Sequence, residues 1–280
     1  MTVSVIAEAL MDAPCDRAGI TVTGLGVGES IVTLWQIADG ARNPIPGYRR
    51  VAVNDAAYIV DYYCPLQRNV QYELEVLSGP LGASRTTSAP VFLPSTTGWI
   101  QDALVPQTSV PVVGEEQSNR DITLRASALA ELERQADVSI FKIMGSKEPM
   151  ALIGQRMALK GVNTSVATVS AEQNARLQKL TDDTAQLVFR PLPEWGDLQL
   201  KGTMHLANPS AVQLPVNVTI GGNLTWWNLV SDVVAAPAIR VLTAIFTYGD
   251  VAMLMSTYQQ KQDAMAGKSY LEDLKNPIGG

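Results

Sequence analysis

Histidine occurs once in this 280-residue chain, at position 205, and cysteine twice, at 15 and 64. With a single imidazole, any Ser/His/Asp or Cys/His nucleophilic arrangement must use His205. No Gly-x-Ser-x-Gly elbow accompanies it, and its place between Met204 and Leu206 in a strand-like run reads as an ordinary polar side chain on a sheet face. Two cysteines, without Cys-x-x-Cys spacing or a histidine cluster, supply neither a disulfide framework nor a zinc site; Cys15 and Cys64 read as buried or half-buried thiols. Basic residues are also short: 21 Lys and Arg stand against 27 Asp and Glu, a net charge of −6, which is the wrong balance for gripping a phosphate backbone. Nucleic acid is therefore not an expected partner. The N-terminus has no basic leader, and Glu8 and Asp12 interrupt its apolar residues, so no secretory signal is read. The longest apolar stretch, 233–246, is broken by Pro237 and Arg240 and falls short of the ~20 residues of a membrane helix. The expectation is a soluble protein with no membrane insertion.

Nucleotide motifs are missing as well. Gly24-Leu25-Gly26-Val27-Gly28 is followed by Glu29 and then by a strand, so there is no helix N-terminus to receive a pyrophosphate, and the run reads as a turn. Met144-Gly145-Ser146-Lys147 lacks the preceding glycine and the loop length of a phosphate cradle. Glu115, Glu116 and Asp121 sit among Gly114, Ser118 and Asn119 as a solvated loop; the separation of paired carboxylates is a tertiary quantity, and nothing marks these as special. Trp99, Trp195, Trp226 and Trp227 have the chemistry of a sugar platform, but core packing and subunit contact are the commoner uses of such residues. No catalytic residue, metal ligand or cofactor is expected, and the chain is not read as an enzyme.

What is present is β-structure. With 46% hydrophobic residues the chain is able to fill at least one core. Segments 3–10, 20–23, 31–37, 48–53, 57–63, 71–76 and 85–92 read as short strands divided by turn chemistry, which predicts a β-sandwich of immunoglobulin or fibronectin type III kind over residues 1–97. Tyr72, Leu74 and Val76 alternate and are expected to face inward against Trp35. Pro90, Pro94 and Ser95 to Gly98 mark a border, after which 98–225 reads as a second, β-sandwich-like domain. Leu124, Ala128, Leu129 and Leu132 fit helical spacing and 138–144 fits a strand. A clearer helix follows Ser170-Ala171-Glu172-Gln173, a capping box, and runs over about 171–182. Strands are expected at 185–189, 198–206 and 212–220. The remaining 226–280 favours helix at 244–255 and 258–266, with tyrosine recurring at 248, 258 and 270, and reads as a short helical, aromatic segment that anchors on another surface.

One resemblance covers most of the chain. Ile20-Thr21-Val22-Thr23-Gly24-Leu25, Val32-Thr33-Leu34-Trp35, Asp39-Gly40, Pro46-Gly47-Tyr48-Arg49, Ile59-Val60-Asp61-Tyr62 and Val70-Gln71-Tyr72 resemble the opening of minor tail proteins of siphophages infecting actinobacteria. Ser139-Ile140-Phe141-Lys142-Ile143-Met144-Gly145, Glu148-Pro149-Met150-Ala151-Leu152, the helix and Leu187-Val188-Phe189-Arg190-Pro191-Leu192-Pro193 are similar to that family's middle domain. Ala266-Gly267-Lys268-Ser269-Tyr270-Leu271 with Lys275-Asn276-Pro277 is similar to its ending. The resemblance implies a virion structural protein near the distal end of a long, non-contractile tail, next to tail-tube and tip or baseplate subunits, and it offers no catalytic residue. Building blocks of this kind close into symmetric rings, so self-association is expected, with Trp226, Trp227, Tyr248, Tyr258 and Tyr270 as subunit-interface candidates. The alternative is a receptor-binding tail module gripping a host surface glycan.

Overall fold

The computed structural model describes residues 2–114, 121–134, 136–145, 147–156, 158–184, 186–195, 200–216 and 223–237, with 251, 255, 257–269 and 273 from the C-terminal segment. The protein is mainly β. It divides into two compact units: Met1–Ser95 with Leu104–Gln107 and Pro237–Gly280, and Thr96–Ala103 with Thr108–Ala236.

In the first unit, β1 (Ser4–Leu10) pairs with β2 (Arg17–Thr23), while β3 (Glu29–Ala38), β4 (Ala41–Pro44) and β5 (Val51–Asn54) pair with one another through β3. β6 (Ala57–Asp61) returns to β2; β7 (Asn69–Ser78) joins β3 and carries β8 (Ser84–Thr87) and β9 (Val91–Phe92). One sheet therefore runs β1-β2-β6 and the other β4-β3-β7-β8. The alternation in β7 is realised: Tyr72, Leu74 and Val76 are buried and lie opposite Gln36, Leu34 and Val32. That register corrects the expectation for Trp35. It lies opposite Glu73, on the other face of the sheet, where the Arg42 guanidinium sits 3.8 Å above its ring and its Nε1 donates to Glu75 at 2.9 Å. A side-chain period of two leaves no choice: if Leu34 points in, Trp35 points out.

Asp61 closes the interior of this unit. It is buried, and its carboxylate accepts from Gln36 Nε2 at 2.6 Å, from the Tyr72 hydroxyl at 2.9 Å and from the Tyr63 backbone N–H at 2.9 Å, so that a residue of β6 is tied to β3 and β7. Burial and then the neighbouring Asp61 carboxylate push the Tyr72 phenol well above its ordinary range. The turn between β1 and β2 is held by Arg17, which donates to the carbonyls of Asp12, Ala13 and Cys15.

The second unit begins with β10 (Gly98–Asp102), β11 (Val110–Val112) and β12 (Thr123–Leu124). β13 (Ala136–Phe141) and β14 (Met150–Arg156) form a separate two-stranded ribbon. Then follow β15 (Val162–Asn163), β16 (Val166–Thr168), the helix α1 (Ala171–Asp183), β17 (Gln186–Arg190), β18 (Met204–Pro215) and β19 (Thr225–Val234). The main sheet is ordered β11-β10-β17-β18-β19-β16-β12, with β15 also on β19. Its core gathers Ile100, Phe189, Met204, Leu206 and Trp227 with Leu177 and Leu180 from α1.

The capping box of α1 is present in modified form: Ser170 Oγ accepts from Gln173 N at 3.2 Å, and Gln173 Oε1 accepts from Val169 N, one residue before the cap. Two expectations fail here. Residues 124–132 form no helix; Leu124 belongs to β12, and the chain then turns through Leu129 with φ 59°, which places Leu124 and Leu129 in the core without helical repeat. The separate strands expected at 198–206 and 212–220 are, among the described residues, one strand across Asn208-Pro209: its pairing with β19 shifts register between Ala207 and Ser210, and the irregularity accommodates a proline that would otherwise end the strand. β19 also spans 225/226, so a border there would cut the strand at its first residue.

Removing the Tyr72 hydroxyl (Tyr72→Phe) is expected to destabilise the first unit by about 2 kcal/mol, and Asp61→Ala, which strands three donors, by more. Denaturant-dependent hydrogen exchange in peptides covering β3 and β7 reads this unit separately from the second; exchange unchanged by both substitutions contradicts the role given to Asp61.

Candidate functional site

The candidate residues of the second unit lie side by side on β19 but face opposite ways. Trp227 is 3% exposed and belongs to the core. Its Nε1 donates to Asn174 Oδ1 at 2.9 Å; the same oxygen accepts from Thr168 Oγ1 at 2.6 Å, and Asn174 Nδ2 donates to Thr225 Oγ1 at 2.9 Å. One amide of α1 thus holds β16 and β19, with Trp227 as the apolar anchor. Trp227 serves the interior and offers a neighbouring subunit nothing without leaving that core.

Trp226, 38% exposed, is the surface member of the pair. It lies opposite Leu214 of β18, and Val212 and Val230 continue the outward stripe across the Val212–Asn228 and Ser210–Val230 pairs. The Arg125 guanidinium sits 4.3 Å from the Trp226 ring centre and donates to Asn228 Oδ1 at 2.9 Å. A fixed aromatic plane, a cation clamped against it and a row of exposed aliphatic side chains form a rigid, mostly apolar contact surface. Neither Arg125 nor the stripe was singled out in the sequence; the one signal available is that Val212, Leu214, Trp226 and Val230 share a face once β18 and β19 are registered.

Tyr258 opens the short helix α2 (Tyr258–Ala264), is 89% exposed, and follows Thr257, whose Oγ1 accepts from Gln260 N while Gln260 Oε1 accepts from Thr257 N. Lys261 pairs with Asp273 at 3.2 Å. Tyr248 and Tyr270 lie outside the described residues, as does 244–250 of the expected helix.

The remaining candidates are scattered. Trp195 stacks on Phe189 at 6.2 Å between centroids and lies directly over the backbone of Gly98, where any side chain would collide with its ring. Trp99, on β10, stands three strands from Trp226, about 14 Å across the sheet at normal strand spacing, so the tryptophans do not make one platform. The glycine run after β2 is a turn: Gly24 has φ 79° and a Cβ there would meet Thr2 O at 2.7 Å, while Gly26 N and Gly28 N donate to Asp55 Oδ1 and Asn54 Oδ1. Those N–H groups are satisfied within the chain rather than turned toward a phosphate. Cys15 and Cys64 are buried and not bonded to each other. Glu115 and Glu116 lie outside the described residues, and Asp121 is exposed. Among the described residues, no group of three or more His, Cys, Asp or Glu side chains is placed to hold a metal ion, and no helix is long and apolar enough to cross a membrane.

A cavity of about 230 Å³, lined by Leu124, Arg125, Leu129 and Trp195 among others, is smaller than the roughly 300–1,000 Å³ of most small-molecule sites. His205 faces away from the core row of β18, opposite Val188 and Val234, and burial lowers its pKa to about 4. Comparison of the chain with protein-family models, with curated proteins and with solved structures finds no match.

The two tryptophans are expected to separate cleanly. Trp227→Ala should cost the second unit about 3–5 kcal/mol, and Trp226→Ala about 1 kcal/mol or less, in urea unfolding of the full chain; equal losses would contradict the core and surface assignments. Between pH 6.5 and 4 the unfolded chain binds a proton at His205 that the folded chain refuses, so stability falls as pH drops through that window, by up to about 3 kcal/mol. Unfolding at pH 7 and pH 4.5 should show His205→Leu losing about 2 kcal/mol less than the native chain over the same step.

Proposed function

We propose that this chain is a non-enzymatic structural protein of a virion, a minor tail protein at the distal end of a long, non-contractile phage tail, assembled as a symmetric ring or tip component. The first unit is read as fibronectin type III-like. Its three-stranded sheet β1-β2-β6 and its six-stranded sheet, ordered β4-β3-β7-β8 with β5 also on β3 and β9 on β7, alternate along the chain in the manner of a Greek-key sandwich, and that supports the reading. The second is a β domain with one packed helix, and the assembly surface draws on Trp226 of its strand β19 and on the segment from Pro237 onward, where Tyr258 is exposed. The tail placement and the neighbours it implies, tail-tube and tip or baseplate subunits, come from the motif resemblance spread along the sequence.

The observation that carries the structural class is the surface of β18 and β19: large apolar side chains and an arginine-clamped tryptophan held outward on a regular sheet, which is the composition of a subunit contact. Immunogold electron microscopy of virions of the phage that encodes the chain, with mass spectrometry of purified particles, tests the proposal. Gold at the far end of the tail is the expected result. Gold on lateral fibres transfers the protein to the receptor-binding class, and absence from particles overturns the virion assignment altogether.

A further inference from the structure

The β13–β14 ribbon has an arrangement that a solitary hairpin does not sustain. Its strands pair with each other and, among the described residues, with no other strand. Register assigns its faces: Val138 lies opposite Ile153 and Ile140 opposite Ala151 on one, Ser139 opposite Leu152 and Phe141 opposite Met150 on the other. An antiparallel pair with one face in water alternates apolar with polar; this pair is apolar on both, the pattern of strands covered on two sides. Yet the large side chains are open, from Val138 at 43% to Ile153 at 72%, and the turn adds Ile143 and a fully exposed Met144. Each face presents on the order of 300–400 Å² of apolar surface, the size of the largest patch on most monomers, and here such a patch occurs twice, on opposite sides of one hairpin. Two strands alone are marginal in water, so the ribbon needs a cover.

We infer that the β13–β14 ribbon is an assembly arm, covered on both faces by further copies of this same chain. The two faces decide the occupant. A single partner seated on one side leaves the other apolar face in water, whereas copies repeated around an axis cover both, each ribbon presenting one face to the copy before it and the other to the copy after. The faces also differ in shape in a way that suits this: Val138, Ile140, Ala151 and Ile153 are β-branched or small, and Phe141, Met150 and Leu152 are long and unbranched at Cβ, so knobs of one face meet the shallower surface of the next. A membrane-dipping hairpin needs apolar residues at the tip alone, whereas here Ile143 and Met144 of the turn are joined by apolar residues along both faces of the strands. The inference rests on the self-assembly part of the proposed function and not on its place in a tail.

Light scattering after size exclusion of the full chain, at concentrations up to its solubility limit, tests the arm. The native protein should be a discrete oligomer, and both Ile140→Thr/Ile153→Thr and Phe141→Thr/Leu152→Thr should weaken association at least tenfold, because a head-to-tail ring needs both faces. Unfolding curves recorded at dilutions where native chain and variants are both monomeric should coincide, since the ribbon lies outside the core cluster. Independently, Ile140→Cys/Leu152→Cys places two thiols on opposite faces that cannot meet within one ribbon; oxidation should give a ladder of cross-linked copies that neither single variant gives. Four results overturn the arm: a native chain that stays monomeric, an oligomer indifferent to both face variants, no ladder, or ribbon-dependent binding to phosphatidylglycerol vesicles by a monomer. An indifferent oligomer leaves the ring reading standing. A ribbon-dependent oligomer in a protein absent from virions leaves the arm standing and removes the tail.

Discussion

A β-strand has two faces, and residues one apart in sequence cannot share one. Most of what this molecule does with its apolar residues follows from that constraint. In β7 the alternation is clean, so Tyr72, Leu74 and Val76 enter the interior while Glu73 and Glu75 meet arginines outside. In β19 it separates two adjacent tryptophans, one into the core and one onto the surface. In the β13–β14 ribbon both parities are apolar, and the constraint then leaves large side chains in water that no element of the described chain covers.

Burial alone does not choose one packing of so many strands, and each unit has a buried polar hub that narrows the choice. Asp61 satisfies donors from β3, β7 and its own following loop; moving any of these by one residue would leave a carboxylate unpaired in the interior, which costs more than an apolar misfit. Asn174 does the same for the second unit, accepting from Trp227 and Thr168 and donating to Thr225, so the rotation of α1 and the register of β16 against β19 are set together. Hydrophobic contact supplies the drive in both cases and the polar hub supplies the uniqueness.

Legibility in the sequence tracked how local the deciding interaction was. Most strands of the first unit and the cap of α1 were readable because alternation and a Ser-x-x-Gln spacing act within a few residues, whereas the short β4 was missed and the expected strand 85–92 divides into β8 and β9. Trp35 was misplaced because an aromatic residue in a strong strand suggests a core, and only the pairing of Leu34 with Leu74 shows which face it takes. The spacing of Leu124, Ala128, Leu129 and Leu132 imitates a helix, but tertiary contacts place these residues with a left-handed Leu129, a conformation no periodicity argument anticipates. Asn208-Pro209 looked like a strand end because a bulge that absorbs a proline depends on its partner strand. Of the candidate site, only the aromatic residue types were readable; which of Trp226 and Trp227 faces outward and the recruitment of Arg125 were not, since both depend on strands and loops distant in sequence.

The surfaces carry more functional information here than any concavity, and the reason is energetic. An apolar side chain gains nothing from being held open on a sheet, and a stripe or ribbon of them lowers solubility and invites unplanned pairing. Such a surface is compatible with a well-behaved protein when the covering partner is present at the time and place of folding, and a further copy of the same chain meets that condition by construction. Coupling then runs both ways. A two-sided ribbon that gains its cover only on association makes the ordered arm a product of assembly, and it makes association favour copies whose arms are already seated. The same alternation of side chains that builds each unit's interior thereby decides what is left outside for its neighbours to hold.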